Sequence, residues 1–99
     1  MSSIASGRDS FIGGGFKNEA CGNHTTIAGG FSSRATGDFA VIGGGCCNNA
    51  TDGFAVIGGG SCNVASGSAA FVGSGCFNIA SGIQSSVVGG FKNVASGIQ

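Results

Sequence analysis

Cysteine is the side chain in this sequence best equipped for chemistry, and it occurs five times, at Cys21, Cys46, Cys47, Cys62 and Cys76. A thiolate can act as nucleophile, disulfide partner or metal ligand. The spacing narrows that choice: there is no CxxC, and no cysteine stands with a histidine at a distance suited to zinc, so no metal site is expected. Acid–base chemistry is equally short of material. His24 is the single histidine, and the carboxylates Asp9, Glu19, Asp38 and Asp52 do not line up as a pair. No general acid and base are therefore expected around a shared centre. Matches to GxGxxG follow from glycine content alone, since no helix comes after them to offer its N-terminus to phosphate. The sequence predicts no catalytic residue, no cofactor and no enzyme.

The elements that must position these residues are set by an unusual composition. The 99 residues include 22 Gly and no Pro, Trp or Tyr; 41% are hydrophobic, only 8% are charged, and the formal net charge is zero. A neutral, charge-poor chain lacks the clustered Lys and Arg that nucleic acid and anionic membranes require, so neither partner is expected. No apolar run is long enough to span a bilayer, and the opening MSSIASGRDS lacks the regions of a signal peptide. The length fits one domain, residues 1–99, too small to bury a generous core without help.

Help comes from repetition. FAVIGGG occurs at Phe39 and again at Phe54, fifteen residues later. With Ala5 as position one of a unit, Ala returns at Ala20, Ala35, Ala50, Ala65, Ala80 and Ala95 without insertion or deletion. Position three is Gly7, Gly22, Gly37, Gly67, Gly82 and Gly97, with Asp52 the one exception, and together with the small residue before it this marks a turn. Position eight is Ile12, Ile27, Ile42, Ile57, Val72 and Val87, β-branched throughout and suited to a pleated strand. Position eleven is always glycine, which predicts a second turn with positive φ. Two short strands per unit follow, at about positions five to nine and thirteen to one. Units of this kind cannot each close a core and must stack, laying equivalent residues about 4.8 Å apart. The fold class is all-β: a parallel β-solenoid with one fifteen-residue coil per repeat and about six coils.

Strand alternation assigns the faces. Position eight points inward as the core column, with the small residues of position six (Ser10, Thr25, Ala40, Ala55, Ala70 and Ser85). The Ala column of position one also points inward, as does position fourteen, filled by Asn18, Asn48, Asn63, Asn78 and Asn93 with Ser33 once. That file is expected to form a structural ladder of amides bonded rung to rung. Such a core is thin. All eight Phe fall at positions expected to face outward or lie in turns: Phe11, Phe16, Phe31, Phe39, Phe54, Phe71, Phe77 and Phe91. Phe11, Phe16, Phe31, Phe39, Phe54, Phe71 and Phe91 are the expected assembly surface, some of them packing against neighbouring chains, with stacking of Phe on Phe along the rod as the alternative. Cys47 and Cys62 share position thirteen in adjacent coils, which would set their Cα atoms about 5 Å apart and within reach of a disulfide. Cys46 and Cys76 share position twelve two coils apart, too far to bond, and Cys21 stands alone in position two. As a small apolar filler, cysteine fits all of these columns. The chain also starts at position twelve and stops at position five, which predicts open coil ends and end-to-end joining into fibres.

The stretches SVVGGFKNVASG (86–97) and FAVIGGGSCNVASG (54–67) resemble the head repeat of trimeric autotransporter adhesins of the YadA type. The resemblance covers almost the whole chain. It implies a left-handed parallel β-roll, three chains packed side by side, and a role in adhesion to host matrix or to other cells. The unit here departs from that pattern in being fifteen residues long, richer in glycine and cysteine, and without neck, stalk or anchor. Left-handed β-helix acyltransferases fit less well, having a period of about six and a catalytic histidine. Ice binding is the competing use of a solenoid, but the threonines Thr25, Thr26, Thr36 and Thr51 do not fill a file. The expected function is a non-catalytic structural module of an adhesin or fibre, extracellular and displayed on a cell or virion, whose partner is itself as a homotrimer or a fibre.

Overall fold

The computed structural model describes residues 3–97. Met1, Ser2, Ile98 and Gln99, on which the two terminal part-coils depend, lie outside that range. The described chain is an all-β parallel solenoid of fifteen-residue coils with thirteen strands of two residues each. In chain order these are β1 (Ile4–Ala5), β2 (Phe11–Ile12), β3 (Glu19–Ala20), β4 (Thr26–Ile27), β5 (Arg34–Ala35), β6 (Val41–Ile42), β7 (Asn49–Ala50), β8 (Val56–Ile57), β9 (Val64–Ala65), β10 (Phe71–Val72), β11 (Ile79–Ala80), β12 (Ser86–Val87) and β13 (Val94–Ala95). Odd-numbered strands form a seven-stranded parallel sheet, and even-numbered strands a six-stranded one.

Every pairing joins residue i to residue i+15, so Ile42 lies beside Ile57 and Ala50 beside Ala65. The β-branched residues of position eight can line one sheet only because this register repeats without slippage. Their side chains meet the Ala columns of positions one and six: Ala20, Ile27, Ala35, Ala40, Ile42, Ala50, Ala55, Ile57, Ala65, Ala70, Val72 and Ala80 have no solvent-accessible surface. At the two ends of the stack Ile12 is half-buried and Val87 nearly buried. With one large aliphatic per coil, the body is a flattened rod of 34 × 23 × 13 Å. Alanine is what allows the two sheets to approach so closely.

The structure corrects the expected strand lengths. Each strand pairs through two residues rather than four or five, and a third row runs along the rod through Phe16, Phe31, Cys46, Ser61, Cys76 and Phe91, each bridged in parallel to the next. Between these three rows the chain must bend sharply. It does so at positions five and thirteen, where Asp9, His24, Phe39, Phe54, Ala69 and Gln84, and Lys17, Ser32, Cys47, Cys62, Phe77 and Lys92, all take left-handed φ values between 53° and 62°. This conformation costs an L-residue roughly 1–2 kcal/mol, so the stacked hydrogen bonds must hold it in place. They do: Phe54 N–H, for example, donates to the Asp38 carbonyl at 2.9 Å and Cys62 N–H to the Cys46 carbonyl at 2.9 Å.

Glycine is required for two different reasons. At position eleven φ runs from 90° to 107°, outside what a side chain tolerates. At position three φ is ordinary but the coils nearly touch, and a Cβ on Gly37 would collide with the Asp52 carbonyl. The turn expected at the ASG tripeptide begins at this glycine, with Ala40 N–H donating to the Gly37 carbonyl at 3.2 Å, and it is also a point of close backbone contact.

Candidate functional site

A buried polar file at position fourteen lies next to the left-handed corner of position thirteen. Asn18, Ser33, Asn48, Asn63 and Asn78 are fully buried, whereas Asn93 in the last coil is exposed. The amides do not bond to one another. Asn63 Oδ1 accepts the backbone N–H of Asn78 at 2.9 Å, while its Nδ2 donates to the carbonyls of Gly59 and Gly75, each at 3.0 Å. The same pattern holds at Asn48 and Asn78. Each side chain thus ties its own glycine turn to the one above and replaces a missing strand bond. Ser33 supplies only the acceptor, with Asn48 N–H reaching its Oγ at 3.3 Å. Among the described residues no buried side-chain nitrogen or oxygen lacks a partner.

The Phe side chains stand between 38% and 61% exposed, and the structure places them in four sets of two. Phe39 and Phe54 occupy the left-handed corner of position five and stack at 5.0 Å between ring centres, with His24 stacked on Phe39 at 4.8 Å. Phe16 and Phe31 stack at 5.4 Å in the third row, and Phe91 meets the edge of Phe77 at 6.2 Å. Lys17 covers Phe16 and Lys92 covers Phe91, cations over aromatic faces. Phe11 and Phe71 lie apart on the outer face of the six-stranded sheet, separated by Thr26, Val41 and Val56. Stacking along the rod gives two of these pairs a partner within the chain, yet each of these residues keeps more than a third of its surface exposed.

The charged groups are few and at the surface. Arg34 Nε and Glu19 Oε1 pair at 3.0 Å across β5 and β3, beside a cleft also lined by Ile4, Lys17 and Ser32. An exposed pair of this kind contributes about 0–1 kcal/mol. Asp9 lies directly beneath His24 in the position-five column, 3.6 Å from its Nδ1. Reading the carboxylates as unaligned missed this contact, although Asp and His at fifteen-residue spacing are visible in the sequence.

Four of the five thiols, Cys46, Cys47, Cys62 and Cys76, lie at positions twelve and thirteen, and Cys21 lies apart at position two. All five cysteines are free, so the Cys47–Cys62 disulfide is not formed. Cys47 turns instead toward its neighbour in the chain, and its Sγ lies 3.0 Å from Cys46 Sγ. That contact raises the Cys47 thiol above its ordinary pKa, helped by partial desolvation and by the charge of Cys46, while a hydrogen bond with Cys62 acts in the opposite sense. The left-handed corner at position thirteen explains the choice of partner: it redirects the side chain in a way that an extended strand would not. Among the described residues no group of three or more His, Cys, Asp or Glu is disposed to hold a metal ion, and no helix is long and apolar enough to cross a membrane.

Compared with protein-family models, with curated proteins and with solved structures, the chain matches none. The class its geometry defines is the parallel β-solenoid with fifteen-residue coils.

Proposed function

We propose that this chain is a non-catalytic structural module, a rod in a cell-surface or virion adhesin or fibre that associates with copies of itself through its exposed aromatic columns. The observation that carries this reading is the display of eight Phe side chains, none less than 38% exposed, on a rod with only four cationic and four acidic residues to keep it apart from its neighbours. An apolar surface of that extent on so narrow a body favours burial against a partner. The resemblance to the autotransporter head repeat supports a side-by-side trimer with a left-handed coil. It also supports an extracellular setting in which the assembled rod meets host matrix or another cell.

Sedimentation velocity tests this. The wild-type chain is expected to sediment at three times its 9.4 kDa mass. Two double variants keep the backbone: Phe39→Asn with Phe54→Asn, since Asn tolerates the left-handed corner, and Phe16→Ser with Phe31→Ser, since Ser61 already occupies that row. At least one pair is expected to weaken association tenfold or more, by roughly the amount one lost aromatic anchor costs an interface. A wild-type chain that is monomeric at every concentration tested overturns the reading.

A further inference from the structure

Cys46 and Cys47 are a place where two side chains of the same reactivity are held against each other by the fold. Their backbone is fixed on both sides of the coil. Cys46 N–H donates to the Gly60 carbonyl at 2.9 Å, Cys47 N–H to the Phe31 carbonyl at 2.8 Å, and the Cys46 carbonyl accepts Cys62 N–H at 2.9 Å. With φ at 62°, Cys47 directs its side chain along its own coil, and the two sulfurs stand 3.0 Å apart. Cys47 is exposed and Cys46 half-buried, so the pair is open to a small molecule.

We propose that Cys46 and Cys47 form a preorganised dithiol site for one trivalent arsenical, held by two sulfur–arsenic bonds. With an arsine oxide the step is a condensation. Two S–As bonds form, the As–O bond breaks, and the oxygen leaves as water carrying both thiol protons; arsenic stays trivalent, and nothing is oxidised or reduced.

Two features select this class of ligand. A zinc ion wants three or four protein donors, and no group of three or more exists among the described residues. The shared hydrogen bond also raises the Cys47 thiol, and the condensation can start from neutral thiols because the arsenical's own oxygen takes up their protons. Cys62 also hydrogen-bonds with Cys47 from the next coil, but it is the Cys46 and Cys47 sulfurs that stand 3.0 Å apart. Cys21 and Cys76 belong to other columns or coils.

The test uses the full reduced chain and phenylarsine oxide, read by intact mass and by titration of free thiols. One equivalent is expected to add one phenylarsine group and lower the titratable thiols from five to three. Cys46→Ser and Cys47→Ser are each expected to weaken binding at least about 100-fold, because the second bond is then no longer intramolecular. Both variants suit the fold, since Ser61 and Ser32 already fill the corresponding columns, and circular dichroism checks that the strand signal is kept. Cys21→Ser, Cys62→Ser and Cys76→Ser are expected to bind as the wild type does. If Cys62→Ser abolishes the adduct, or Cys46→Ser binds at wild-type affinity, the assignment is overturned.

Discussion

Replacing Asn63 with leucine is expected to lower the free energy of unfolding by roughly 2–6 kcal/mol, from about two buried groups left without partners at 1–3 kcal/mol each. The groups can be named. Asn78 N–H loses the Oδ1 acceptor at 2.9 Å, and the Gly59 carbonyl loses the Nδ2 donor at 3.0 Å. The Gly75 carbonyl loses Nδ2 as well but keeps the Ser61 N–H at 2.9 Å. Leucine is larger than asparagine, so a lost cavity is not the cause, and any overpacking adds to the loss. Asn63→Ser is the internal control, because Ser33 already plays this part with its Oγ accepting the next coil's N–H at 3.3 Å. It keeps the acceptor and loses only the donor, and should cost about 1–2 kcal/mol. Urea titration followed by circular dichroism measures both. Equal losses for the two variants would show that the Oδ1 acceptor contributes nothing of its own.

Gly60→Ala is expected to cost about 3 kcal/mol or more, combining a disallowed φ with a steric collision. Gly60 has φ of 95°, and a Cβ there would sit 2.8 Å from Gly75 N and 2.7 Å from Asn63 Nδ2, besides striking the Gly75 carbonyl. The turn cannot shift away without breaking the Asn63 bonds just described, so this variant and Asn63→Leu should be less than additive when combined. Gly59→Ser is the contrasting change one residue earlier. Gly59 has no atom within 4 Å of a built Cβ, and the equivalent position is already serine at Ser74. It should stay within about 0.5 kcal/mol of wild type. Thermal unfolding of the three variants side by side checks the order.

The coils were legible because parallel in-register stacking writes its geometry into the sequence. Ile27, Ile42 and Ile57 must recur at the coil length if each is to lie beside the last, and the Ala and Asn files obey the same constraint. What could not be read was any feature not carried by residue type. The left-handed corners hold Phe, Cys, Lys, Gln, Ala and Ser beside the more usual Asp9 and His24, so their φ is imposed by hydrogen bonds from neighbouring coils rather than by side-chain preference. The third row was hidden in the same way: Phe16, Phe31, Cys46 and Ser61 are joined each to the next by backbone bridges. The Asn file was visible, but not its partners, because an amide can bond its neighbour's side chain or its neighbour's backbone with equal chemistry. The pairing of Cys47 with Cys46 rather than Cys62 depends on one of those corners and was lost with it.

Both the arsenical site and the aromatic surface depend on a coil that closes every fifteen residues. Nuclear Overhauser contacts in a labelled sample test that closure most directly. Methyl groups of Ile42 should meet those of Ile27 and Ile57, and the Val41 amide, bonded to the Ala55 carbonyl at 2.9 Å, should show contacts to Val56. Contacts between neighbouring turns of a helix, or a register in which Ile42 meets any residue other than its counterparts one coil away, would contradict the account.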